Sequence, residues 1–196
     1  MNYKDYFEKG ITYEEYQRNF EAELNSGIET KNSIYLPMNW QRSIRIEKTL
    51  ILDSKFETME QTANWLIISE HWCGDASQIL PVIHKISLAS NGKINLKMIY
   101  RDQYPELIEM HLTKGSKSIP KLLQLDENYN FIKDWGPRPE TAQQLVIQLK
   151  SNPIASLTYS EEVHKWYAKD KQKEIQEELF ELISSKNISK PRSFIG

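Results

Sequence analysis

The apolar positions of this chain change period several times, and each change marks an element. Residues 65–68, Trp-Leu-Ile-Ile, form an unbroken apolar run that predicts a buried strand. The run stops at Ser69-Glu70-His71, and Trp72-Cys73-Gly74 follows. From about Cys73 to Ala89 the apolar residues Ile79, Leu80, Ile83 and Ile86 recur at helical spacing, until Asn91-Gly92 closes the helix. Residues 94–100 alternate and predict a second strand. Strand, helix and strand in this span make a right-handed βαβ unit with a parallel pair. Both strands then end on one rim, which brings Arg101-Asp102 beside Cys73. A short helix is expected over residues 105–113, with Pro105 in its first turn. Residues 119–125 read as a strand with Pro120 near its start, and 131–135 as its hairpin partner across the turn at 126–130. Gly136-Pro-Arg-Pro139 breaks that strand and launches a helix through Lys150.

The flanks are helical. Residues 3–27 predict one aromatic-rich helix, with Tyr6, Tyr13, Tyr16, Phe20 and Leu24 in a stripe that docks on the main domain. Thr12 and Glu15 have the spacing of a capping box. A second helix begins near Pro37. It carries Arg42, Arg45 and Lys48 on neighbouring turns, most simply a solvated face and less commonly an anion site. Asn152-Pro153 is a linker. Residues 159–185 form a charged helix with Val163, Trp166, Ile175, Leu179 and Leu182 on its apolar face and a break near Asp170; the last ten residues read as a loose tail. The expected division is a helical extension at 1–60, a central domain at 61–150 and a second extension at 151–196.

Length and charge narrow the function classes. A chain of 196 residues can bury one sizeable core. A formal net charge of −2 gives no electrostatic case for nucleic acid or a membrane surface. No apolar run is long enough for a bilayer, and the first residues lack the apolar core of a signal peptide. The lone cysteine, Cys73, cannot form an intrachain disulfide. A cytoplasmic protein is the expectation.

The order helix, βαβ, helix, β-hairpin, helix resembles the thioredoxin fold, an α/β architecture with a mixed sheet, here with helical extensions at both ends. Trp72-Cys73-Gly74 is similar to the active-site opening of thioredoxins, and Pro81 stands where they place a helix-kinking proline. Asp102-Gln103-Tyr104-Pro105 looks like the segment after the next strand. Ser118-Ile119-Pro120 resembles the cis-proline loop, and Gly136 the glycine that closes the last strand. The resemblance spans residues 65–150 and is nearest to thioredoxin-like proteins with a Trp-Cys-Gly-Asp-Ala motif. Two departures limit what it implies. The position of the second, resolving cysteine is Ala76, and that of the buried proton-relay acid is Ile67. A dithiol–disulfide cycle within the chain is therefore chemically closed.

A single thiolate can still attack a disulfide or peroxide, or carry a mixed disulfide that an external thiol resolves. The helix N-terminus lowers the Cys73 pKa and the Asp75 carboxylate raises it, each by about 1 kcal/mol, with His71 and Arg138 as candidates to tip the balance towards the thiolate. The reading of Cys73 as nucleophile stands beside that of an inherited, unreactive residue. A cis Ile119–Pro120 bond would turn the Ile119 N–H and C=O outward for an extended peptide, with Trp72 as an apolar wall and Gly74 and Asp75 on the rim. Arg101 and Arg138 are expected on that rim, either paired with Asp75 or Asp102 or holding a ligand carboxylate. His71, Cys73 and Asp75 alternate, but the helix turn splays them, which argues against zinc. The leading expectation is monothiol redox chemistry through a mixed disulfide, with no bound cofactor and glutathione as candidate co-substrate. The alternatives are a peptide-binding module without catalysis and an interaction protein that forms a homodimer through its added helices.

Overall fold

The computed structural model describes residues 2–184. The expected tail, and the last residue of the charged helix, lie outside the described residues. The first strand, β1 (Ala63–Ser69), has Trp65, Leu66, Ile67 and Ile68 wholly buried, as their unbroken apolar run requires. The helix α4 (Ala76–Ala89) follows, with Pro81 inside it, and then β2 (Ile94–Tyr100), α5 (Pro105–Glu109), β3 (Lys121–Leu125), β4 (Phe131–Trp135) and α6 (Glu140–Ser151). The sheet order is β2-β1-β3-β4. β2 runs parallel to β1, with Trp65 opposite Leu96. β3 runs antiparallel to β1, with Ile67 opposite Leu122, and β4 antiparallel to β3. This is the thioredoxin-type mixed sheet with flanking helices.

The first extension differs from the single helix expected. It forms α1 (Tyr3–Lys9) and α2 (Tyr13–Asn25), separated at Gly10-Ile11-Thr12. The break has a cause in the sheet. Ile11 donates its N–H to the Met98 carbonyl at 2.9 Å and accepts the Met98 N–H at 2.8 Å. It thereby pairs the outer edge of β2 at Met98, interrupting a strand edge that would otherwise be open there. Gly10 is required there, because a Cβ would lie 2.8 Å from the Lys97 Cβ. α2 opens with the Thr12–Glu15 capping box and buries Tyr13, Tyr16 and Phe20.

The other additions complete the fold around one core. α3 (Leu36–Thr49) packs along α4, and α7 (Tyr159–Asp170) packs on α6. α7 ends at Lys171 and Gln172, both in the left-handed region, before α8 (Lys173–Ser184). Ile175, Leu179 and Leu182 of α8 join the same hydrophobic cluster as the strands. Two buried glutamines, Gln124 and Gln176, cross these layers in hydrogen-bonded pairs. Trp65 Nε1–H donates to Gln124 Oε1 at 3.3 Å, and Gln124 Nε2–H donates to the Leu182 carbonyl at 3.3 Å. Gln176 likewise accepts the Asp53 N–H at 2.8 Å. Among the described residues no helix is long and apolar enough to cross a membrane.

Candidate functional site

Cys73 sits between the end of β1 and the start of α4, which begins at Ala76 rather than at the cysteine. The turn is held by the Cys73 N–H on the Glu70 carbonyl (3.1 Å) and the Ser77 N–H on the Cys73 carbonyl (3.3 Å). The Sγ–H donates to the Ile119 carbonyl at 3.2 Å, and the Ala76 N–H points at Sγ at 3.5 Å. The Ile119–Pro120 bond is cis. The Ile119 carbonyl, expected to face a bound peptide, is therefore engaged by the cysteine itself. Gly136 lies behind this loop at φ +105°, and a Cβ there would lie 2.5 Å from the Pro120 carbonyl oxygen.

The opposing local effects of the helix end and Asp75, balanced in the sequence, are both outweighed by burial. Cys73 is 6% exposed, and burial pushes its thiol up to about 12. The Asp75 carboxylate adds to the rise; the Ala76 and Asp75 N–H groups and Arg138 oppose it without cancelling it. Desolvation, which no local reading of the turn includes, is the largest effect.

Asp75 does not cap α4. Its carboxylate accepts Arg138 Nε–H on Oδ1 (2.9 Å), Arg138 Nη2–H on Oδ2 (2.6 Å) and the Tyr167 hydroxyl on Oδ1 (2.9 Å). Three donors on two oxygens suit an ionised carboxylate. Burial pushes the Asp75 carboxyl upward against these partners, while the carboxylate raises the Arg138 guanidinium. Arg101 binds Asp102 through Nε–H and Nη2–H, both at 2.8 Å, and lies 4.7 Å from the Trp72 ring centroid. Both rim arginines thus have acidic partners within the chain.

His71 faces away from the thiol and does not tip its balance. Its Nδ1 meets Glu23 at 2.5 Å, and its ring stacks on Phe20 at 4.7 Å. Burial lowers its pKa against the pull of Glu23. The backbone carbonyl of His71 accepts from Asn39 Nδ2–H at 3.2 Å, which ties α3 to the cysteine turn.

The groups that local reasoning missed come from the two extensions. α3 and α7 wall a cavity of about 660 Å³, with Cys73, Trp72, Gly74, Asp75, Ile119, Arg101 and Arg138 also in its lining. A volume of this order suits a small ligand, since such pockets hold about 300–1,000 Å³. Arg42, grouped above with a solvated face, is half-buried and lines the cavity, while Arg45 and Lys48 are exposed. His164 lies against Gly74, where an added Cβ would sit 3.1 Å from its Nε2. Burial, then Arg42 and Arg138, push the His164 imidazole down to about 4, so it is neutral at physiological pH. Among the described residues no group of three or more His, Cys, Asp or Glu side chains is placed to hold a metal ion.

A thioredoxin-type sheet with a lone cysteine at the β1–α4 turn, beside the loop before β3, defines a thioredoxin-fold protein with one thiol. A family model described as thioredoxin matches residues 10–150, and the chain belongs to that family. The match reaches beyond the resemblance at 65–150 and takes in α2 and α3. No curated protein matches the chain. Two crystal structures share its fold at 17% identity. One is an HIV epitope-scaffold, with TM-score 0.60 over 93% of this chain and 98% of that one. The other is a protein of unknown function from Pseudomonas aeruginosa, with TM-score 0.58 over 93% of this chain and 97% of that one.

Proposed function

We propose that this chain is a monothiol thiol–disulfide exchange protein of the cytosol, which takes a small thiol or disulfide into the cavity beside Cys73 and carries it as a mixed disulfide. The observation that carries this reading is the place of the sole thiol in the lining of a cavity of about 660 Å³, with Trp72 and Ile119 around it. The Cys73 thiolate attacks one sulfur of a bound disulfide RS–SR′. The Cys73–SR bond forms, the S–S bond of the ligand breaks, and R′S⁻ leaves with the electron pair and takes the proton that Cys73 gave up. A thiol from the reducing pool then attacks the mixed disulfide, releases RS as a new disulfide and returns Cys73 to the thiol.

The protonated resting state makes this chemistry selective. With a pKa of about 12, Cys73 carries on the order of three thousandfold less thiolate at neutral pH than a free cysteine near 8.5. A more basic thiolate is the better nucleophile, with a Brønsted slope of about 0.4–0.5, which restores between one and two powers of ten. The remaining deficit is met only by disulfides held in the cavity at high effective concentration. A general protein-disulfide reductase is not what this site supports.

Intact-mass spectrometry after incubation with glutathione disulfide tests the reading. One glutathione per chain is expected, lost in Cys73→Ser and reversed by excess reduced glutathione. The absence of an adduct on the folded protein, after a time that fully modifies free cysteine, would refute it. A second reading, a binding module without catalysis, is favoured by the buried, protonated thiol itself. In that case Cys73→Ser binds ligand as the wild type does and no adduct forms.

A further inference from the structure

We propose that Arg42, from the N-terminal extension, is the carboxylate-recognition residue of this cavity, and that the ligand is a small thiol or disulfide bearing a free carboxylate. This rests on the reading of the cavity as the site of thiol exchange. Four cationic side chains line it, and three are already matched. Arg138 is held by Asp75, Arg101 by Asp102, and Lys117 by Glu109 at 2.6 Å. Arg42 pairs with no carboxylate among the described residues. Its Nη1–H donates to a neutral acceptor, Asn39 Oδ1, at 3.2 Å. Asn39 is buried and fixed in turn by its bond to the His71 carbonyl, so this contact sets the place of the guanidinium without pairing its charge, which burial and Arg45 disfavour and only the non-contacting Asp75 supports.

The other groups around Arg42 favour an anion. The one carboxylate in the cavity lining, Asp75, is consumed by Arg138 and Tyr167. His164 offers a neutral imidazole, which can hydrogen-bond an oxyanion without adding a charge that must be balanced when the cavity is empty. A guanidinium with free N–H groups in a half-buried setting matches a carboxylate in two-pronged fashion, and partial desolvation strengthens the contact. Arg42 and Cys73 line the same cavity, so a tripeptide-sized thiol can reach both. The recognition element thus lies outside the central sheet unit and is supplied by an added helix.

Calorimetric titration with S-methylglutathione, and with its analogue esterified at both carboxylates, tests this without thiol exchange. Wild type is expected to bind the acid at least about tenfold more tightly than the ester. Arg42→Gln should weaken the acid by on the order of ten- to a hundredfold, leave the ester unchanged and bring the ratio close to one. A folded Arg42→Gln that keeps the wild-type ratio, or a wild type that does not distinguish acid from ester, overturns the proposal. Should Arg42→Gln not fold, Arg42→Lys decides. It keeps the charge and loses the fork, so the acid should weaken several-fold and the ester not at all; unchanged affinity for both overturns the proposal. The two readings fail separately. Binding of S-methylglutathione without a mixed disulfide from glutathione disulfide removes the exchange function alone. A mixed disulfide that forms equally fast in Arg42→Gln removes Arg42 alone.

Discussion

Replacing Asp75 by Asn should make Cys73 more acidic and more reactive while making the protein less stable. Burial and Asp75, in that order, hold the Cys73 thiol at about 12. Against a free cysteine near 8.5 this disfavours the thiolate by about 4–5 kcal/mol, at about 1.4 kcal/mol per unit. Asp75→Asn removes the negative charge and frees the positive charge of Arg138, which now lies 2.6 Å from the carboxylate. A neighbouring charge moves a pKa by about 1–3 units, so a fall of about two units is expected. Thiolate at pH 8 then rises about a hundredfold, the lower basicity takes back close to tenfold, and alkylation should be about tenfold faster. Iodoacetamide modification followed by mass spectrometry across pH 7 to 11 measures the rate and the variant's midpoint, while the wild type, with its thiol at about 12, should still be rising at pH 11. The unpaired Arg138 should lower stability by about 3–5 kcal/mol, read by urea denaturation. Adding Arg138→Gln should move the thiol midpoint back up. A folded Asp75→Asn whose thiol midpoint is unmoved or higher would show that Asp75 does not act on Cys73 through its charge.

Three further outcomes follow from single contacts. Ala76→Cys should form an intrachain disulfide with Cys73, since the Ala76 N–H already points at Sγ, and should confer insulin reduction with a small dithiol; a folded variant with no disulfide by thiol titration would mean that this turn is not of thioredoxin type. Gly136→Ala should lower stability by at least about 2 kcal/mol in urea, because the position combines φ +105° with a Cβ 2.5 Å from a backbone oxygen; an unchanged midpoint would contradict the packing described. Burial pushes the Glu70 carboxyl up to about 7, so its protonated form is the one the fold favours. The stability it gives is complete below its unfolded value near 4.5 and is lost as pH rises through 7. Glu70→Gln should therefore stabilise the protein at pH 8 by on the order of 1 kcal/mol, discounted for partial exposure, and by nothing at pH 4. Equal effects at both pH values in thermal melts would refute this.

The central fold was legible because its signals are local. The unbroken run at 65–68, the helical spacing of Ile79, Leu80, Ile83 and Ile86, and the alternation at 94–100 each name an element without reference to the rest of the chain. The same holds for the Thr12–Glu15 capping box and for the break after Asp170. The split between α1 and α2 was only partly legible. The Thr12–Glu15 capping box marks a helix start there, but the bridge between Ile11 and Met98 that holds the break, a contact across 87 positions of the chain, has no local signal. The site divides in the same way. Cys73, Trp72 and Ile119 could be named from motifs and Arg42 only as part of a charge cluster with an anion site as its less common reading, whereas His164 and Tyr167 come from a helix whose own pattern shows only an amphipathic surface. The sign of the thiol shift was not legible for the same reason: locally the helix end and Asp75 oppose each other, and the burial that decides the direction depends on the rest of the fold.

Exchange at a protonated thiol that depends on capture of the disulfide has a kinetic signature. The rate of mixed-disulfide formation should be followed by mass spectrometry under pseudo-first-order conditions, against glutathione disulfide and against an uncharged disulfide of similar reactivity. With glutathione disulfide the rate should rise hyperbolically and saturate. With the uncharged disulfide it should stay linear and fall below that of a free cysteine at the same pH. Linear dependence on both, at the rate of a free cysteine, would contradict the account, because Cys73 would then be an ordinary exposed thiol and the cavity would play no part.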